Sequence, residues 1–114
     1  MSQFMLFIRG GSETSEHLSP EQIQQAIERY RAWEQSLRAQ GKLVSAEKLK
    51  DNEGMLLSAR NGQVVVDGPF AETKETIGGY FIVEAGNLAE AIEITKECPS
   101  LSNGGIVELR EIES

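Results

Sequence analysis

The chain has 114 residues, 39% of them hydrophobic and 25% charged, which suits one modest folded domain and lacks the apolar depletion of a disordered segment. Its formal charge is −7, and its Lys and Arg are scattered among acidic residues without forming a stripe, so the basic footprint that nucleic-acid binding needs is missing. Residues 1–114 are read as a single unit with no nucleic-acid partner.

In chain order, Phe4 to Ile8 is a continuous apolar run closed by Arg9, Gly10 and Gly11, the pattern of a strand buried on both faces. The run is too short to span a bilayer and has neither a basic segment before it nor a cleavage-site pattern after it. It is therefore read as a first strand, not as a signal peptide or a membrane anchor. With one cysteine and no internal disulfide to make, the expected compartment is the cytoplasm. "GGSETSEHLS" has loop composition and contains His17, which sits outside any periodic pattern and reads as solvated.

A helix follows, with Ser19 as N-cap, Pro20 at its first position and Gln22 completing a capping box. Ile23, Ala26, Tyr30, Trp33 and Leu37 recur at spacings of three and four, with Ile27 beside them, and predict one apolar face; Gly41 ends the helix. "KLVSAEKL" reads as a second strand. In "MLLSARNGQVVVDG", two β-rich runs flank Asn61-Gly62, a dipeptide that tolerates the positive φ angles of a two-residue turn, and a β-hairpin is expected.

Tyr80 to Ala85 is a further strand with Gly78 and Gly79 at its entrance. Asn87 caps a second helix, whose expected inner face is Leu88, Ala91, Ile92, Thr95 and Cys98, and Pro99 ends it. A small polar loop leads to a last strand, Ile106 to Ile112. The order defines an α+β chain, a ferredoxin-like βαββαβ unit with an inserted β-hairpin. Two helices cover one face of such a sheet, yet Met5, Phe7, Tyr80 and Ile82 alternate onto the other. A second copy stacking its own sheet there, as a homodimer forming a dimeric α+β barrel, is the expected cover.

"VVVDGPFAETKETIGGYFIVEA" resembles the signature of the DGPF family within the YCII-related proteins. The resemblance extends to "FMLFIRG", to Trp33 and Gly41 on the first helix, to "NLAEAIEITKECP" and to "GGIVELREI". Departures are Glu111, where a proline commonly follows the family's arginine, and "AEKL" at 46–49, which replaces a more glycine-rich turn. The resemblance implies a ferredoxin-like unit pairing into a dimeric barrel, with a role that is mostly unassigned. Related barrels include cofactor-free enzymes acting on small organic molecules, and some DGPF domains look associated with extracytoplasmic-function sigma factors. A histidine on the first helix and a nearby aspartate are the pair proposed for YCII-type relatives. This chain has no histidine there, and Tyr30 falls near that position.

Asp67 is the first candidate for a general base, since a carboxylate backed by Pro69 and Phe70 would be partly desolvated and its pKa raised; Asp before Gly also commonly accepts backbone hydrogen bonds in a turn. Tyr30 is its expected polar partner. Tyr30 and Trp33 are candidates to line an aromatic pocket against the loop, Phe70 to anchor that loop into the core beside the ligand, Lys74 to receive an anionic group, and Gly78 and Gly79 to admit a ligand or another backbone. Arg110 shares a strand face with Glu108, where it pairs with that residue or binds a carboxylate.

Cys98 reads as a small buried hydrophobe. No metal-ligand spacing and no phosphate-binding glycine loop is present, so neither a metal nor a cofactor is expected. Two functions follow. One is a homodimer that binds a small organic molecule between the first helix and the DGPF loop, with cofactor-free acid/base chemistry. The other is a non-enzymatic interaction module serving a sigma factor or another regulator.

Overall fold

The computed structural model describes residues 1–9, 19–50, 54–67 and 77–114. Among these residues are six strands: β1 (Ser2–Arg9), β2 (Leu43–Lys48), β3 (Leu56–Arg60), β4 (Gln63–Asp67), β5 (Ile77–Ala85) and β6 (Ile106–Glu111). The helices are α1 (Pro20–Ala39) and α2 (Leu88–Lys96), with a 3-10 turn at Pro99–Asn103. Four strands form an antiparallel sheet in the order β2-β5-β1-β6, and β3 and β4 form a separate two-stranded sheet. With the hairpin set aside, this is the ferredoxin-like order, so the expected α+β class and the inserted hairpin are both present.

The local signals act where the sequence put them. The Ser19 side chain accepts from the Gln22 amide and the Gln22 side chain accepts from the Ser19 amide, a complete capping box that satisfies two otherwise orphaned donors. At the other end of α1, Gly41 takes a φ of 70°, its amide donates to the Arg38 carbonyl and that of Lys42 to Leu37, the paired bonds of a Schellman stop. Asn61 and Gly62 both have positive φ, 51° and 78°, so the β3–β4 turn is of the primed type that matches strand twist.

The core lies between the helices and one face of the four-stranded sheet. Phe4, Leu6 and Ile8 from β1 and Phe81, Val83 and Ala85 from β5 meet Trp33 and Leu37 of α1 and Ala91 and Ile94 of α2. Each large side chain buried there contributes about 1.5–3 kcal/mol. On the opposite face, Met5 and Phe7 pair with Ile82 and Tyr80 and stay half-buried.

Three details differ from expectation. In α2 the buried stripe is Ala91, Ile94, Thr95, continued by Cys98, while Leu88 and Ile92 are exposed; the helix is rotated so that Ile94 takes the place expected of Ile92. Ile23 and Ile27 are exposed, because α1 packs through its second half. Gly78 and Gly79 lie inside β5, not at its entrance: Ile8 faces Gly79 and Arg9 faces Ile77, which leaves Gly78 as the extra residue of a bulge.

Candidate functional site

Two residues expected to line a site, Tyr30 and Trp33, lie on α1 one turn apart, because a spacing of three brings side chains onto one helical face. Both pack on Phe81 of β5, with ring centroids at 6.3 Å for Tyr30 and 4.6 Å for Trp33. The Tyr30 hydroxyl lies 4.0 Å from the Cys98 sulfur, beside Ser100 of the 3-10 turn. Gly105 makes this arrangement possible. Its amide donates to the Ser100 carbonyl at 2.9 Å, and a Cβ there would stand 2.2 Å from Ser100 Oγ, so only glycine lets the chain leave the turn so closely.

Burial pushes the Tyr30 phenol above its ordinary value; the nearby Cys98 adds to the rise and hydrogen bonding from Ser100 opposes it in part. Burial likewise pushes the Cys98 thiol up, against hydrogen bonds from the Ser100 backbone and Tyr30. Both groups are therefore protonated at neutral pH. Tyr30 can donate a hydrogen bond, and neither group is poised as a nucleophile.

Beside this pair opens a cleft of about 530 Å³, a size within the common range for small-molecule sites. One wall is Arg29 and Trp33 of α1; the other is Lys96 to Pro99 with Leu101 and Ser102. Trp33 is only 7% exposed, and its indole N–H is buried with no hydrogen-bond partner among the described residues. Leaving such a donor unpaired costs about 1–3 kcal/mol. Lys96 pairs with Glu93 at 3.0 Å, while Arg29 makes no ion pair among the described residues. Arg29 was not singled out from the sequence, although its place four residues before Trp33 puts both on one side of α1.

The remaining expected site residues lie elsewhere. Asp67 ends β4 opposite Leu56 and is exposed, so the desolvation expected of it is missing in the single chain; the hairpin forms its own sheet and the core does not cover it. Arg110 is 70% exposed and sits 3.7 Å from Glu108, the pairing reading of the two. Arg9 also binds Glu108, and its Nε is buried without a partner among the described residues. At Gly79, a Cβ would stand 2.9 Å from the Glu47 carbonyl oxygen in β2, so strand approach explains the missing side chain. Phe70 and Lys74 lie outside the described residues, as does His17.

Among the described residues no group of three or more His, Cys, Asp or Glu is placed to hold a metal ion, and no helix is long and apolar enough to cross a membrane.

The sheet order and helical layer define a ferredoxin-like α+β protein with a small cleft against its first helix. The YCII-related domain model matches residues 3–114, and the chain belongs to the YCII-related family. An uncharacterised protein of Rhizobium meliloti (strain 1021) is 41% identical over 34 residues, a match that spans 30% of this chain and 27% of that protein. The solved structure of 5-chloro-2-hydroxyhydroquinone dehydrochlorinase from Burkholderia phenoliruptrix AC1100, in complex with 2,5-dihydroxybenzoquinone, is similar over 93% of this chain and 90% of that one. The TM-score is 0.43 and the identity 20%.

Proposed function

We propose that this YCII-related protein is a cytoplasmic homodimer that binds a small organic molecule in the cleft between α1 and the α2–β6 connection. The observation that carries this reading is the cleft itself, about 530 Å³, with Trp33, Pro99 and Leu101 among its walls. Trp33 is the only tryptophan of the chain, so its fluorescence reports on occupancy directly. Titration with a library of small aromatic and aliphatic acids, amides and amines tests the reading. Saturable change in Trp33 emission supports it, and an unchanged spectrum across the library refutes it.

The dimer rests on two uncovered apolar surfaces. One is the open sheet face with Met5, Phe7, Tyr80 and Ile82 at its centre. The other is one side of the hairpin, where cross-strand neighbours Leu57 and Val66, and Ala59 and Val64, form an apolar patch. Leu57, Val64 and Val66 are each more than half exposed in the single chain. Four strands at about 4.8 Å spacing, with roughly six residues each at about 3.3 Å rise, give a sheet face of roughly 400 Å² in projection. The two five-residue hairpin strands add roughly 160 Å², for a total of roughly 550 Å², about two thirds of the roughly 800 Å² per partner of a standard interface.

Acid/base catalysis is the extension of this reading. Asp67 would be its base and Tyr30 its neutral donor; neither lines the cleft in the single chain, so the extension requires that the dimer bring a hairpin to the bound molecule. If Asp67→Asn leaves the turnover of a bound compound unchanged in a folded dimer, the extension fails.

The exposed hairpin patch also favours a second reading, a non-enzymatic module that docks a regulator such as a sigma factor. Pull-downs separate the two: the module captures a protein through the hairpin and gives no Trp33 response to small molecules.

A further inference from the structure

We infer that the two copies stack their open sheet faces about a two-fold axis running along the strands, so that the β2 edge of each copy, with Glu47, lies over the Arg9–Glu108–Arg110 cluster at the β6 edge of the other. The inference rests on the homodimer reading above and names the arrangement of that dimer.

The charge on the open face is divided between its edges. Strand register sets Ser45 and Glu47 of β2 beside Ile82 and Tyr80 of β5, these beside Met5 and Phe7 of β1, and these beside Arg110 and Glu108 of β6. Alternation puts all of them on one face, together with Glu84 of β5 and Arg9 of β1. Lys48, next along β2, alternates to the face that the helices cover. An apolar centre is thus flanked by the carboxylates of Glu47 and Glu84 on the β2–β5 side. On the β1–β6 side stands a net positive cluster, in which Arg9 and Arg110 share one carboxylate, that of Glu108.

Two sheets stacked face to face as an isologous dimer have their two-fold axis in the plane between them. An axis across the strands lays like edges over each other, and gathers the Glu47 and Glu84 carboxylates of both copies on one side and the arginines of both on the other. An axis along the strands lays opposite edges over each other and sets each Glu47 against the other copy's arginines, twice by symmetry. Charges at a rim suppress the wrong pairing and fix register, while the apolar centre supplies the contact. The sign pattern therefore selects the axis along the strands.

This arrangement has a consequence for the cleft. Lys48 pairs with Gly79, and Gly79 and Ile106 pair with the neighbouring residues Ile8 and Arg9, so the chain leaves β2 toward the hairpin at the end of the sheet where the 3-10 turn enters β6. An axis along the strands keeps that end common to both copies. Each hairpin is thereby carried toward the other copy's 3-10 turn, one wall of its cleft, which is the approach that the acid/base extension requires.

The test is the dimer dissociation constant of the full chain, measured by sedimentation across a concentration series for the wild type, Arg110→Glu, Glu47→Arg and the double variant. Each single substitution should weaken the dimer by about tenfold, because the reversed charge acts twice, and the double variant should return to within about threefold of the wild type. Within one chain the two edges are three strand spacings apart, about 14 Å, beyond the roughly 8 Å over which exposed charges act at physiological salt. Recovery in the double variant can then arise only across the dimer. Both residues are exposed, so the variants keep the fold, which the thermal midpoint of dilute samples verifies. A wild-type dimer that is indifferent to both single substitutions, or a double variant no tighter than the singles, overturns the arrangement and leaves the homodimer with another one. A wild-type chain that stays monomeric throughout the series overturns the homodimer reading and the arrangement with it.

Discussion

β1 and the β3–β4 hairpin are both short runs of β-prone apolar residues, yet they end in opposite environments. Leu6 of β1 is fully buried, whereas Leu57 of β3 is 64% exposed. The difference comes from what lies on each side. β1 is hydrogen-bonded on both edges, to β5 and β6, and roofed by the helices, while among the described residues β3 and β4 pair only with each other. Apolar pattern alone makes a strand, and neighbours decide whether its apolar face is covered. In the hairpin that face is still available for a partner.

Substitution should expose the contrast most strongly at Leu6. Leu6→Ala removes a fully buried side chain and should destabilise the chain by about 2–5 kcal/mol, read from urea unfolding. Leu57→Ala in a dilute, monomeric sample should stay within about 0.5 kcal/mol. A loss at Leu57 as large as at Leu6 would mean that the hairpin is already covered within the chain.

Gly79→Ala comes next. Its new methyl would stand 2.9 Å from a backbone oxygen of β2, so β2 or β5 must shift, at about 1–3 kcal/mol. Amide exchange along β2 should rise with it. Unaltered stability would show that β2 yields freely.

A smaller effect concerns pH. The folded-state pKa values of Tyr30 and Cys98 are raised, so the unfolded chain gives up these protons first as pH rises. The stabilising protonated state is fully present below the unfolded values, about 8.5 for a thiol and about 10 for a phenol, and is lost progressively above them. The thermal midpoint should therefore fall through the alkaline range, and Cys98→Ala should flatten the earlier part of that fall. A midpoint equally steep in Cys98→Ala would remove the thiol from the account.

Asn87→Ala, which deletes the side chain accepting from the Glu90 amide at 2.9 Å, should cost about 1 kcal/mol. Least of all, the exposed i,i+4 pair Glu34–Arg38 should contribute about 0.3–0.5 kcal/mol, detectable by a double-mutant cycle at low salt and vanishing at high salt.

Elements tied to local chemistry were legible in the sequence. The Ser19 capping box, the Gly41 stop, the Asn61-Gly62 turn and the Asn87 cap each depend on residues within a few positions, and all four stand as read. What was not legible depends on tertiary contact. The rotation that buries Ile94 over Ile92 is set by how α2 meets the sheet, and the bulge at Gly78 by the register of β5 on β1. The candidate site divides in the same way. Tyr30 and Trp33 share a face by helical spacing, while their partners Cys98 and Ser100 arrive from a distant turn held in place by Gly105. Asp67 sits in a motif specific enough to identify the family, but its environment depends on what packs against the hairpin, which the motif does not encode.

The central claim, a homodimer that holds a small molecule beside Trp33, is tested most directly by native mass spectrometry of the purified protein before and after incubation with a cell extract from its source. The account predicts a species at twice the 12.6 kDa chain mass carrying an added small-molecule mass. A monomer that acquires nothing, or a chain that captures only another protein, would contradict it.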